Sequence, residues 1–176
     1  MRDNRVVSRA GLLLAMMDSA YGRLRGRLDG LTDEEFAWCP VPDCLAISRD
    51  ESGRWRYIRH GPEPAPVATI GWLVVHLALC KVMFHEYAYG SARLTWPEMA
   101  VPHTAGGAVE VLERGQGLLR ADLEGLSDAA LDEPRRTHWG QVWPAWRIFS
   151  VMVDHDALHG GAIGGLRDLY YWTRPT

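Results

Sequence analysis

Residues 148–170 read I-F-S-V-M-V-D-H-D-A-L-H-G-G-A-I-G-G-L-R-D-L-Y, the heart of the last long periodic segment of a 176-residue chain. On a helical wheel centred on His155, the residues Ile148, Val151, Met152, Leu158, His159, Ala162, Ile163, Leu166, Leu169 and Tyr170 fall on one side. Ser150, Asp154, Asp156, Arg167 and Asp168 fall on the other. The wheel therefore predicts a helix from Pro144 to about Trp172, with His155 and His159 inside its buried stripe and Asp154 and Asp156 in solvent. Gly160 and Gly161 lie off that stripe, with no role the pattern explains.

Three further segments share the helical period. The first runs from about Val6 to Leu28, with Leu12, Leu13, Met16, Met17, Ala20, Leu24 and Leu28 in register. The second runs from about Val67 to Tyr89, and the third from about Ala105 to Leu126. Thr32 and Glu35 carry the spacing of a capping box. Between the first and second helices, residues 38–66 are rich in proline and include R-W-R-Y-I-R at 54–59, with a short hairpin expected around Ser52-Gly53. A second irregular stretch, D-E-P-R-R-T-H-W-G-Q-V-W-P, precedes the last helix. Connections of this length are often functional. Together these features predict an all-α, single-domain four-helix bundle over residues 1–176, with long connections between helices 1 and 2 and between helices 3 and 4.

Composition narrows the function. The chain is 47% apolar and 23% charged, as an ordinary globular protein is, and its net charge of −3 gives no electrostatic footing for nucleic acid. The longest apolar run, Ile70–Cys80, is too short to span a bilayer, and no secretory signal is evident. Cys39, Cys44 and Cys80 form a sparse, odd set, which predicts reduced thiols and a cytoplasmic protein. Lys81 is the only lysine.

Two imidazoles four residues apart on one helix face are spaced to share a metal ion. Buried imidazoles must satisfy two polar nitrogens each, so the alternative is that each bonds a carbonyl or a polar side chain of a facing helix. His76 interrupts the run I-G-W-L-V-V-H-L-A-L-C and adds a third imidazole to the core. Three histidines are the usual supply for a divalent ion with an open position. His85, nine residues on from His76, should face elsewhere. His60, His103 and His138 lie in irregular segments, His138 being the best placed to border a site. H-D-A-L-H also approaches the H-E-x-x-H of metalloproteases. Asp156 is too short for that general base, however, and no His or Glu follows His159 to serve as a downstream ligand.

With these residues in view, the chain resembles the DinB/YfiT-like superfamily of four-helix metalloproteins, in a subgroup common in actinobacteria. The resemblance rests on L-D-G-L-T-D-E-E-F-A-W-C-P-V-P-D-C at 28–44, on the segment from Pro62 to His76, and on H-G-G-A-I-G-G-L-R-D-L-Y at 159–170. It implies His76, His155 and His159 as ligands of a divalent metal, zinc first, with nickel, manganese or iron as alternatives. It further implies an enzyme that transfers a low-molecular-weight thiol such as mycothiol to a small electrophile. A metal-dependent hydrolase or isomerase and a non-catalytic stress-response protein are the alternatives. Neither nucleic acid nor membrane is an expected partner, and a homodimer is compatible with so small a bundle. Arg54, Arg56 and Arg147, in or beside the long connections, are candidate substrate contacts through pairing with a carboxylate, and His138 is a candidate contact bordering the site.

Overall fold

The computed structural model describes residues 7–58 and 66–173; Val6, Arg59 and His60, which entered the reading above, lie outside them. The architecture is all-α. The long helices are α1 (Arg9–Arg27), α3 (Ile70–Ala88), α4 (Ala105–Glu124) and α5 (Ala145–Thr173), with the short α2 (Asp33–Ala37) between the first two. Side-chain caps start four of them: Ser8 accepts from the Gly11 amide, Thr32 from Glu35, Thr69 from Trp72 and Thr104 from Gly107. Each cap satisfies a backbone donor that the first turn leaves free.

The four long helices form a ring in which α3 packs on α4 and α5, and α1 packs on α5 and α4. Cross-helix partners give the directions. Lys81 meets Gln116 and His85 meets Asp122, so α3 and α4 run parallel. Arg25 meets Glu113 and Arg120 meets Asp18, so α1 and α4 run antiparallel. Leu24 lies against Gly160 and Arg27 against Gly164, so α1 and α5 run parallel. The parallel pair α3 and α4 requires a crossing, made by residues 89–104, whereas the two irregular segments read from the sequence join the antiparallel pairs α1–α3 and α4–α5. Two small antiparallel hairpins decorate them: β1 (Ser48–Arg49) with β2 (Trp55–Arg56), as expected near Ser52-Gly53, and β3 (Pro134–Arg136) with β4 (Val142–Pro144). Gly53 and Gly140 turn the two hairpins at φ +79° each, a conformation that glycine adopts without strain.

Three expectations are corrected. The buried line of α5 runs through Met152, Asp156, Gly160, Ile163 and Gly164, while Leu158 and Leu169 are exposed. His155 and His159 therefore flank the buried stripe and do not centre it. The wheel misjudged this because α5 carries large apolar residues on its open side. The line facing α1 is marked instead by small glycines, which let the helix backbones approach. Asp156 is buried, not solvated. Finally, Cys39 and Cys44 form a disulfide with Cα atoms 6.0 Å apart, not free thiols. The turn through Pro40–Asp43, with Asp43 at φ +60°, folds the two cysteines together and removes the cysteine argument for a reducing compartment.

A Cβ on Gly71 would stand 2.8 Å from the Phe36 carbonyl oxygen and 2.6 Å from its ring, whereas one on Gly161 would meet nothing within 4 Å. Gly71→Ala should therefore destabilise the protein by about 1–3 kcal/mol. Gly161→Ala should stabilise it by about 0.5–1 kcal/mol through helix propensity. Urea denaturation midpoints of the two variants check both signs.

Candidate metal centre

The residue types that matter most sit where α3 crosses α5 in antiparallel register. His76 lies in the second turn of α3, and His155 and His159 follow one another on the adjoining edge of α5. Their rings converge: centroids are 4.7 Å apart for His76 and His155, 5.0 Å for His76 and His159, and 4.6 Å for His155 and His159. His76 Nε2 and His155 Nε2 face each other at 2.8 Å. That is a hydrogen-bond distance, so one ring carries a proton there that a bound cation would displace.

Cys80, one turn after His76 and buried, adds a sulfur. Its Sγ lies 3.9 Å from His76 Nδ1, and donor atoms of His76, Cys80 and His155 all fall within 4.8 Å of one another. The same i, i+4 argument that pairs His155 with His159 applies to His76 and Cys80, so this donor is legible in the sequence from spacing alone. His76 Nδ1 also hydrogen-bonds the Tyr57 hydroxyl. Such a partner fixes the orientation of a ligand imidazole and leaves Nε2 for an ion. Tyr57 arrives from the segment after β2, and nothing local in the sequence announces it. Trp72 stacks on His76 at 5.0 Å and 8° between planes.

Burial keeps the α5 imidazoles neutral. Desolvation, helped by His159 and by the Lys81 charge, drives the His155 pKa from 6.5 down to about 3. Desolvation also lowers His159, against an opposing pull from Asp154. The neutral ring is the form that ligates metal. His155 Nδ1 is buried without a hydrogen-bond partner among the described residues. Neutral imidazoles, one thiol and a partly exposed setting suit a borderline-soft divalent ion such as zinc.

The candidate substrate contacts are placed less favourably. Arg54 and Arg56 line a cavity of about 170 Å³ together with Tyr57, Trp96 and Met99, next to the His76 side of the site. Arg54 already donates to the Pro97 carbonyl oxygen at 2.6 Å, and Arg56 pairs with Asp50 at 2.5 Å. His138 packs edge-on against Phe84 and Trp96, and Trp96 in turn reaches Tyr57, so His138 belongs to the aromatic wall beyond the site. Arg147 stacks over Trp143 at 4.4 Å, eight residues before His155, or about 12 Å along the helix. His85 bonds Asp122 of α4, and His103 stacks on Trp55, so neither joins the cluster.

A family model described as the DinB superfamily matches residues 16–163, which takes in all three histidines and every long helix at least in part. The chain belongs to the DinB superfamily. Members of this superfamily are often metal-binding, in keeping with the donors gathered in this DinB protein. No curated protein matches the sequence. Among the described residues, no helix of this DinB protein is long and apolar enough to cross a membrane.

The folded His155 value lies below its unfolded value, so the unfolded chain takes up the proton first. Stability of the ion-free protein should therefore fall as pH drops from about 6.5 toward about 3. Urea midpoints measured across that range should decline more steeply for wild type than for His155→Gln; equal slopes would contradict the burial account.

Proposed function

We propose that this chain is a divalent-metal-dependent enzyme that joins a low-molecular-weight thiol, of the mycothiol type, to a small electrophile. The observation that supports it is the convergence of His76, His155 and His159 at one edge of the bundle, with Cys80 beside them. A divalent ion held there would supply Lewis acidity sufficient to keep a bound thiol deprotonated at neutral pH. His155 and His159 serve as neutral donors because burial on α5 suppresses their protonation.

The rest of the site orients and excludes. Tyr57 holds the His76 ring by its Nδ1, and Trp72 stacks on its face, so the ring cannot turn freely. Tyr57 and Trp96, brought in by the first hairpin and the 3-10 turn Trp96–Glu98, screen the His76 side from bulk water. The neighbouring cavity offers the rim for a polar thiol. There the Arg54 and Arg56 guanidinium groups, now on a carbonyl and on Asp50, are near enough to be shared with a carboxylate. The proton given up by the thiol would pass to solvent, because imidazole nitrogens that hold the ion cannot also accept it.

The test is a fluorescent alkylation assay with monobromobimane as electrophile, with and without mycothiol, on metal-loaded and metal-free protein. Adduct formation should require both metal and thiol and should fall by at least about 100-fold in His76→Ala, the order expected for loss of a ligand-dependent nucleophile. Equal rates from loaded and metal-free protein would remove the thiol-transfer reading. Thiol-independent turnover of an ester by the loaded protein would favour the hydrolase in its place.

A further inference from the structure

Beneath the histidine edge, at the centre of the bundle, lies a polar cluster that the proposed chemistry does not use. It takes one residue from each long helix: Tyr21 of α1, Lys81 of α3, Gln116 of α4 and Asp156 of α5. Lys81 Nζ donates to Asp156 Oδ2 at 2.8 Å and to Gln116 Oε1 at 2.8 Å, and it sits 5.6 Å from the centre of the Tyr21 ring. The side chains of Lys81 and Asp156 are both 0% exposed. Gly115 makes room for the lysine, since a Cβ there would stand 2.9 Å from Lys81 Cβ.

As a device for stability this arrangement is poor. Burying two charges costs more than an exposed pair can repay, and apolar replacements of similar size are often neutral or stabilising. The protein leaves parts of the cluster unsatisfied as well: Tyr21 Oη, Gln116 Nε2 and Asp156 Oδ1 are buried without partners among the described residues. The chain places its only lysine here. What the pair does uniquely is geometric. Lys81 immediately follows Cys80, and Asp156 immediately follows His155, so a single 2.8 Å bond ties the two donor-bearing helices directly behind their donors. An apolar contact tolerates sliding and rotation, whereas a directed, desolvated ion pair holds only one register.

We propose that Lys81 and Asp156 are a positioning pair, fixing the rotation and register of α3 against α5 so that His76, Cys80, His155 and His159 are spaced for one ion. This rests on the metal reading above. Without the pair, apolar packing still closes the bundle, but the donors are free to adopt more than one spacing. Gln116 holds Lys81 from α4, which carries no donor, so it matters less for the ion.

The experiment is cobalt(II) titration of the whole protein, followed by visible absorption, beside thermal unfolding of the ion-free form. Lys81→Met/Asp156→Leu should unfold at the same or a higher temperature than wild type. Its cobalt affinity should fall by about 10- to 100-fold, the range seen when groups supporting metal ligands are lost, with a changed d–d spectrum. Gln116→Met should keep cobalt affinity within about threefold, less than that same range. Should that double variant fail to fold, Lys81→Gln/Asp156→Asn, which removes both charges together and keeps polar side chains able to hydrogen-bond, is expected to weaken cobalt binding about tenfold while remaining folded. Unchanged affinity and spectrum in whichever of these two variants folds would overturn the positioning role. Failure of wild type to take up cobalt would instead overturn the metal reading on which it rests.

Discussion

Helix α3 is buried on nearly all sides, and every polar side chain it carries in its middle turns must find a partner on another element. That constraint organises the molecule. His76 is met by Tyr57 from the first connection and by His155 from α5. Lys81 is met by Asp156 of α5 and Gln116 of α4, and His85 by Asp122 of α4. An unpartnered polar group at such depth costs of order 1–3 kcal/mol, so these pairings fix how far each neighbouring helix can slide along α3. The apolar residues between them, Leu77, Ala78, Leu79 and Phe84 among others, supply the driving force for burial but little of the register.

The outer connections follow from the same arrangement. Because the consecutive helices α3 and α4 run parallel, the chain must cross the length of the bundle between them. That crossing brings Trp96, and the α1–α3 connection brings Tyr57, to the His76 side of the site. α2 is pinned by the paired contact of Arg167 with buried Glu35, at 2.6 and 3.1 Å, and Arg167 also caps the carbonyls of Arg27 and Asp29 at the end of α1. The long segments are therefore fastened to the scaffold at defined points, and the side of the bundle they cover is the one where the donors collect.

Much of this was legible in the residues. Helical period placed all four long helices within a few residues of their ends, and Thr32 with Glu35 marked the cap of α2. The interruption of an apolar run by His76, and the i, i+4 spacing of His155 and His159, were enough to bring the three rings together on paper. The rotation of α5 was not legible. Hydropathy assigns Leu158 and Leu169 to the core and Asp156 to solvent, but close approach of α1 selects the face with Gly160 and Gly164, and Lys81 selects Asp156. Both are tertiary effects with no local signature. Cys80 was recoverable from spacing alone. Tyr57 was not, because its position depends on how a long, proline-rich connection returns to α3, and the pairing of Cys39 with Cys44 depends on the left-handed Asp43 that follows Pro42.

The proposed function requires the histidine edge between α3 and α5 to hold a metal ion. It is tested most directly by elemental analysis of the purified protein and of His76→Ala prepared in parallel. About one equivalent of a divalent transition metal per chain in wild type, falling below about a tenth in the variant while its helical content is unchanged, is the predicted result for a site that needs all its neutral imidazole donors. Equal metal in the two proteins, or none in wild type after reconstitution with zinc, would contradict it.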